Sequence, residues 1–181
     1  MKKTAIIMAL ILALACIFTG CTKTEAPAEP SAPAAQAGLA NPMVESSAEE
    51  IANTLGVTFG TIDGAQNVKY YIISGDLAQM NFTRDGLDYT VRIQPAGEYT
   101  DISGAYYEWN VIDDCQIGGR DGKSMRYVSD TEQVEVCEWY DIAPGLMYCV
   151  TAGGEGADLD GFDLTAVAQT LFAPVQGEAD A

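Results

Sequence analysis

The sequence contains no histidine. That absence excludes Ser-His-Asp and Cys-His catalysis, His-ligated zinc and the usual proton shuttle near neutral pH. Positive charge is scarce as well, with 9 Lys and Arg against 26 Asp and Glu in 181 residues. Such a chain has little with which to grip nucleic-acid phosphates or an anionic lipid surface, because both attractions run through basic side chains. Excess acid admits two readings, attraction of divalent cations and a soluble, self-repelling surface, and the second is the common one. Cysteine is sparse, five residues with no Cys-x-x-Cys, which argues against a thioredoxin-like role.

One long apolar run is present, and it stands at the N-terminus. Met1–Lys3 is a basic head, and Thr4–Phe18 is uncharged, mostly apolar and shorter than the roughly 20 residues of a comfortable membrane span. The pattern is that of a bacterial secretion signal over residues 1–20. Phe18-Thr19-Gly20-Cys21 resembles the lipobox of bacterial lipoproteins, with Phe18 where Leu is usual. The resemblance implies removal of 1–20 and diacylation of the Cys21 thiol, whereas a signal anchor with an incidental cysteine, or ordinary cleavage nearby, is the alternative. Removing 1–20 takes away Lys2 and Lys3 and no acid, leaving a net charge of −19. Attachment to the membrane then rests on the lipid, and two acyl chains hold stably where one holds marginally. The expected location is the outer face of the cytoplasmic membrane.

Residues 21–40 continue as a Pro- and Ala-rich linker that cannot bury enough surface to order itself. A single α+β domain is expected over 41–175, and 176–181 as a frayed tail. Ser47-Ala48-Glu49-Glu50 fits a capping box, followed by Ile51, Ala52 and Leu55 at helical spacing and a closing Gly56. From Val68 the period changes to 2. Segments 68–74, 77–83, 87–94, 106–117, 123–128, 133–140 and 146–151 read as strands, separated by Gly75-Asp76, Arg84-Asp85-Gly86, Gly118–Gly122 and Pro144-Gly145. Leu164, Val167, Ala168, Leu171 and Phe172 recur at i, i+3, i+4, i+7 and i+8, a second amphipathic helix stopped by Pro174. These elements predict an antiparallel meander of about seven strands, with the N-terminal and C-terminal helices on one face.

The segments NPMVE (41–45), ISGDLAQM (73–80), DISGAYYEW (101–109), IGGRDGK (117–123) and EWYDIAPGLMYCV (138–150) resemble an uncharacterised extracytoplasmic domain family of Gram-positive lipoproteins and anti-sigma-factor-like membrane proteins. The likeness covers about 41–173 and rests on turn and core residues. It implies a fold and a location, and carries over no catalytic residue. A remoter likeness to half-barrel lipid carriers implies a curved sheet with an apolar groove.

Three constellations remain. If Tyr140 faces Leu146, Cys137 faces Cys149 and a cross-strand disulfide is feasible; two buried free thiols are the equal alternative, and Cys115 is left over. Asp158, Asp160 and Asp163 fail the spacing of a calcium loop and read instead as acids at the N-terminus of the last helix, with Asp160 or Asp163 near the cap. Tyr71 and Tyr106 are the candidates for an exposed aromatic binding face, against ordinary strand propensity with snorkelling hydroxyls. No cofactor or metal is expected. The functional expectation is a non-catalytic binding, sensing or protein-interaction module facing an envelope protein. A carrier of a lipid or other apolar ligand is the alternative, and a carboxylate-based hydrolase comes third.

Overall fold

The structure, a computed structural model, describes residues 42–117, 123–154 and 156–171. The signal, the linker, Cys21 and the tail lie outside the described residues. Among the described residues eight strands form one antiparallel sheet: β1 (Met43–Ser46), β2 (Gln66–Ile73), β3 (Leu77–Arg84), β4 (Leu87–Pro95), β5 (Val111–Asp114), β6 (Ser124–Ser129), β7 (Val134–Asp141) and β8 (Leu146–Gly153). Their spatial order is β1-β2-β3-β4-β8-β7-β6-β5. Two four-stranded meanders therefore meet along β4 and β8, whose register runs from Tyr89 opposite Ala152 to Pro95 opposite Leu146.

Local chemistry accounts for the turns. Asp85 and Gly86 both have positive φ between the paired residues Arg84 and Leu87, so β3 and β4 are joined by a two-residue turn of the type that Asp-Gly favours. The strand β1 is an addition to the seven expected. Its four residues beside Pro42 have no period-2 signal long enough to read, and its pairing with β2 is a tertiary fact. The expected strand 106–117 shrinks to Val111–Asp114, because 96–110 is a long connection.

Helix α1 (Ala48–Leu55) starts as its sequence dictates: the Ser47 hydroxyl accepts from Glu50 N at 3.1 Å, and Gly56 closes the end in the left-handed region. Glu50 returns its carboxylate to the Ser46 hydroxyl at 2.8 Å, so half of the capping box forms. Ile51 packs with Ala78 and Ile93. Helix α2 (Leu164–Leu171) sets Leu164 and Ala168 among Met80, Phe82, Val91, Cys137, Trp139 and Val150. Asp163 is its cap, accepting from Thr165 N at 2.9 Å, while Asp158 accepts from Asp160 N at 3.1 Å. A second acid serves the same end: Glu135, fully buried in β7, accepts from Leu164 N at 3.0 Å and pairs with Arg126 at 2.6 Å. That pairing raises the pKa of the Arg126 guanidinium, keeping it charged against the opposing effect of burial.

The hairpin β7–β8 corrects one expectation. Asp141, not Tyr140, faces Leu146, since the turn takes only Ile142–Gly145 and closes with Gly145 N donating to Asp141 O at 3.1 Å. Cys137 then faces Val150 and Glu138 faces Cys149. A shift of one residue sends the two cysteines to opposite faces of the sheet, and Cys115, Cys137 and Cys149 are all free.

Candidate functional site

Residues alternating with the α2-side core point to the other face of the sheet. Along one row Gln79, Arg92, Cys149 and Glu138 lie side by side, and Met147, Val136 and Val134 flank them. This face is covered by the 96–110 connection: Ile102 is buried, and Ala96, Tyr99, Ala105 and Trp109 pack on Val134, Val136, Met147 and Cys149. Loops of this length without secondary structure are uncommon in compact domains, and those held in place are usually functional.

The hold is polar at its centre. Glu138, 1% exposed, accepts from Ile102 N at 3.0 Å and from the Tyr99 hydroxyl at 3.1 Å. Tyr99 and Tyr127 share a hydroxyl contact at 3.3 Å, and Lys123 Nζ stands 4.4 Å from the centre of the Tyr99 ring. From the adjoining strands Arg92 donates through Nη1 to the carbonyl oxygens of Ile102, at 3.0 Å, and Ser103, and through Nε to Gln79 Oε1 at 2.7 Å. Gly104 sits against that guanidinium with φ +61°; a Cβ there would run into Nη1. Asp101 tightens the same turn, accepting from Ser103 N at 2.8 Å and from its hydroxyl at 2.7 Å. Tyr140 completes the seam by donating to the Ala96 carbonyl at 3.2 Å.

Burial in this layer sets the protonation of its groups. It raises Glu138 to about 7, beyond what the Ile102 amide can offset, and Asp101 pushes in the same direction. Burial likewise raises Tyr99, helped by Tyr127 and Glu138, so the phenol stays a hydrogen-bond donor. Cys149, enclosed in the same layer, is also raised by burial.

Outward, the connection carries aromatic rings. Tyr107 meets Trp109 edge-on at 5.6 Å, and Trp109 lies 5.5 Å from Tyr127. Tyr106 is 89% exposed. Tyr71 and Tyr106 are placed differently from each other. Tyr71 is half-buried in β2 opposite Gln79, and Tyr106 belongs to the connection, where no strand alternation applies. The aromatic string is thus Tyr107, Trp109, Tyr127 and Tyr99. Sequence reasoning placed Tyr107 and Trp109 on a strand and missed Arg92, Glu138 and Tyr99; a Glu flanked directly by Cys137 and Trp139 in a buried strand is the signal that marks the polar centre.

The chain matches no family model, no curated protein and no solved structure.

Proposed function

We propose that the chain is a lipid-anchored extracytoplasmic module that binds or senses an envelope protein through the 96–110 connection, without catalysis. One observation carries this reading: a long connection is pinned to a rigid sheet by Arg92 and Glu138 and presents Tyr106, 89% exposed, beside the ordered rings of Tyr107 and Trp109. Rigid aromatic side chains on a fixed loop give contact area at low ordering cost. The lipobox-like run ending at Cys21 and the likeness to extracytoplasmic domains of Gram-positive lipoproteins favour the outer membrane face as its place of work.

Two features weigh against the other readings. The space between sheet and helices, where a carrier needs its groove, is occupied by Met80, Phe82, Trp139, Leu164 and Ala168. The acids that a hydrolase would use are Glu138, buried under the connection, and Asp101, exposed on it, and both are committed, Glu138 to Ile102 and Tyr99 and Asp101 to Ser103.

The test is site-specific photocrosslinking of the full chain in the bacterium that makes it. A benzophenone amino acid at position 106 is expected to give a discrete protein adduct that the same group at Ile142, exposed at the β7–β8 turn, does not. Equal labelling at both positions, or none at 106, contradicts the reading.

A further inference from the structure

Among the described residues β5 pairs on one side alone, with β6, so its other side is an open edge of the sheet. Both ends of the strand are fixed. Asn110 N donates to the Val128 carbonyl at 2.8 Å and Asn110 Oδ1 accepts from Asp130 N at 2.8 Å, while Cys115 N donates to the Ser124 carbonyl at 3.1 Å. The last bond sets the phase of the ladder. Hydrogen bonds of an antiparallel pair serve alternate residues, so Cys115, Asp113 and Val111 turn their backbone groups to β6, and Asp114 and Ile112 turn theirs outward. The N–H and carbonyl of Ile112 and of Asp114 thus stand along the edge, held in strand geometry.

The side chains of this edge divide by face. Ile112, 56% exposed, lies opposite Tyr127, whose ring is 5.5 Å from that of Trp109, so the edge continues the aromatic surface of the 96–110 connection. Asp114 is exposed on that face. Asp113 is exposed on the other, opposite an Arg126 already paired with Glu135 at 2.6 Å. Exposed Glu108 and Asp130 add negative charge at the start of the strand. Charged residues on an edge guard against pairing of like with like. The register that would join the outward groups of Ile112 to those of Asp114 in a second copy sets Asp113 opposite its own counterpart, acid against acid. The same acids complement a segment that carries Lys or Arg.

We propose that β5 is the docking edge for an extended, basic segment of the protein partner, which adds to the sheet as a further strand. The inference rests on the binding reading of the 96–110 connection and gives the chemistry of what lies beside it. The added strand takes its main-chain hydrogen bonds from the N–H and carbonyl groups of Ile112 and Asp114, and its alternate side chains fall on the two faces of the sheet. On the face of the connection an apolar side chain stands beside Ile112, and a Lys or Arg beside Asp114. On the other face a second Lys or Arg stands beside Asp113. The segment recognised in this way has an apolar residue followed or preceded by two basic ones. Main-chain bonds fix its register, and the acids select against acidic segments.

The test is amide exchange with solvent, read by NMR on the full chain with synthetic capped peptides as probes. The basic probe is Thr-Val-Lys-Lys-Val-Thr, which reads the same in both strand directions. An acidic probe has Glu for both Lys, and a third has Pro for both Val, which keeps the charge and prevents the ladder. The basic peptide is expected to slow exchange of the Ile112 and Asp114 amides by about tenfold or more, and the other two to leave them unchanged. Asp113→Lys together with Asp114→Lys, both at exposed positions, should transfer the protection to the acidic peptide. Unchanged rates at both amides with the basic peptide, or equal protection by any two of the probes, overturn the proposal. Protection confined to Tyr107 and Trp109 overturns it and leaves the connection as the binding surface. Protection at Ile112 and Asp114 in a chain that gives no adduct at position 106 upholds the edge and strikes the connection. The comparison of peptides uses the unmutated chain, so it does not depend on a variant folding.

Discussion

Arg92 and Glu138 hold the same residue from opposite ends. Their strands flank β8, where Cys149 faces both, and from there Glu138 accepts from the Ile102 N–H at 3.0 Å while Arg92 donates to the Ile102 carbonyl at 3.0 Å. A connection of irregular backbone is thus given the hydrogen bonds that a strand partner would supply, which is why it lies down on an apolar face without an edge of its own.

Glu138 makes stability depend on pH. Its folded pKa, about 7, lies above the ordinary 4.5, so the folded state binds the proton more tightly. The stabilisation is complete below pH 4.5 and is lost as pH rises through 7. Over that window wild type should lose about 3 kcal/mol relative to Glu138→Gln, which keeps the acceptor for Ile102 and has no proton to lose. Urea midpoints of the two proteins at pH 5 and pH 8 check this, and curves that remain parallel contradict it.

Arg92→Ala should release three acceptors at once, Gln79 Oε1 and the carbonyls of Ile102 and Ser103. A loss of about 2–4 kcal/mol is expected, with red-shifted Trp109 emission as the connection lifts. Gly104→Ala should repeat the loss at smaller size, about 1–3 kcal/mol, since the new methyl meets Nη1 and the backbone stays at φ +61°. Equal emission in all three proteins would show that the connection does not depend on the clamp.

Gly153 is required for a different reason. At φ +115° it lies against the Gln133 carbonyl, and a Cβ would strike the backbone of β7's entry, which cannot step aside as a side chain can. Gly153→Ala should cost about 3 kcal/mol or more and lower the melting midpoint accordingly. A midpoint within a degree of wild type contradicts the close approach.

Membrane attachment is expected to rest on one atom, the Cys21 thiol. Cys21→Ser should move the protein from the membrane fraction to the medium or cell wall and abolish incorporation of labelled fatty acid. Membrane retention without the fatty acid points to an uncleaved signal anchor, and retention of both to acylation at another residue such as Cys16.

The parts of the fold legible in the sequence are those decided by neighbours in the chain. Ser47 and Gly56 bound α1, Asp85-Gly86 makes its hairpin, and Leu87, Tyr89, Val91 and Ile93 alternate on one face. What escaped is decided across the chain. The β4–β8 seam joins strands more than fifty residues apart, and β1 becomes a strand only because β2 is beside it. A one-residue difference in the β7–β8 turn moved Cys137 from Cys149's face to that of Cys115, since register cannot be read from Pro-Gly alone. Glu138 and Arg92 read as ordinary strand polars until the connection is seen lying over them.

The amide of Ile102 gives the most direct measurement. Hydrogen–deuterium exchange of the full chain near pH 6 should show this amide, in a connection with no ladder of its own, protected by about a thousandfold or more, on the scale of the β7 and β8 amides, and unprotected in Arg92→Ala. Exchange at the free-loop rate in wild type would mean that the connection is not pinned, and that the aromatic surface built on it is not a fixed one.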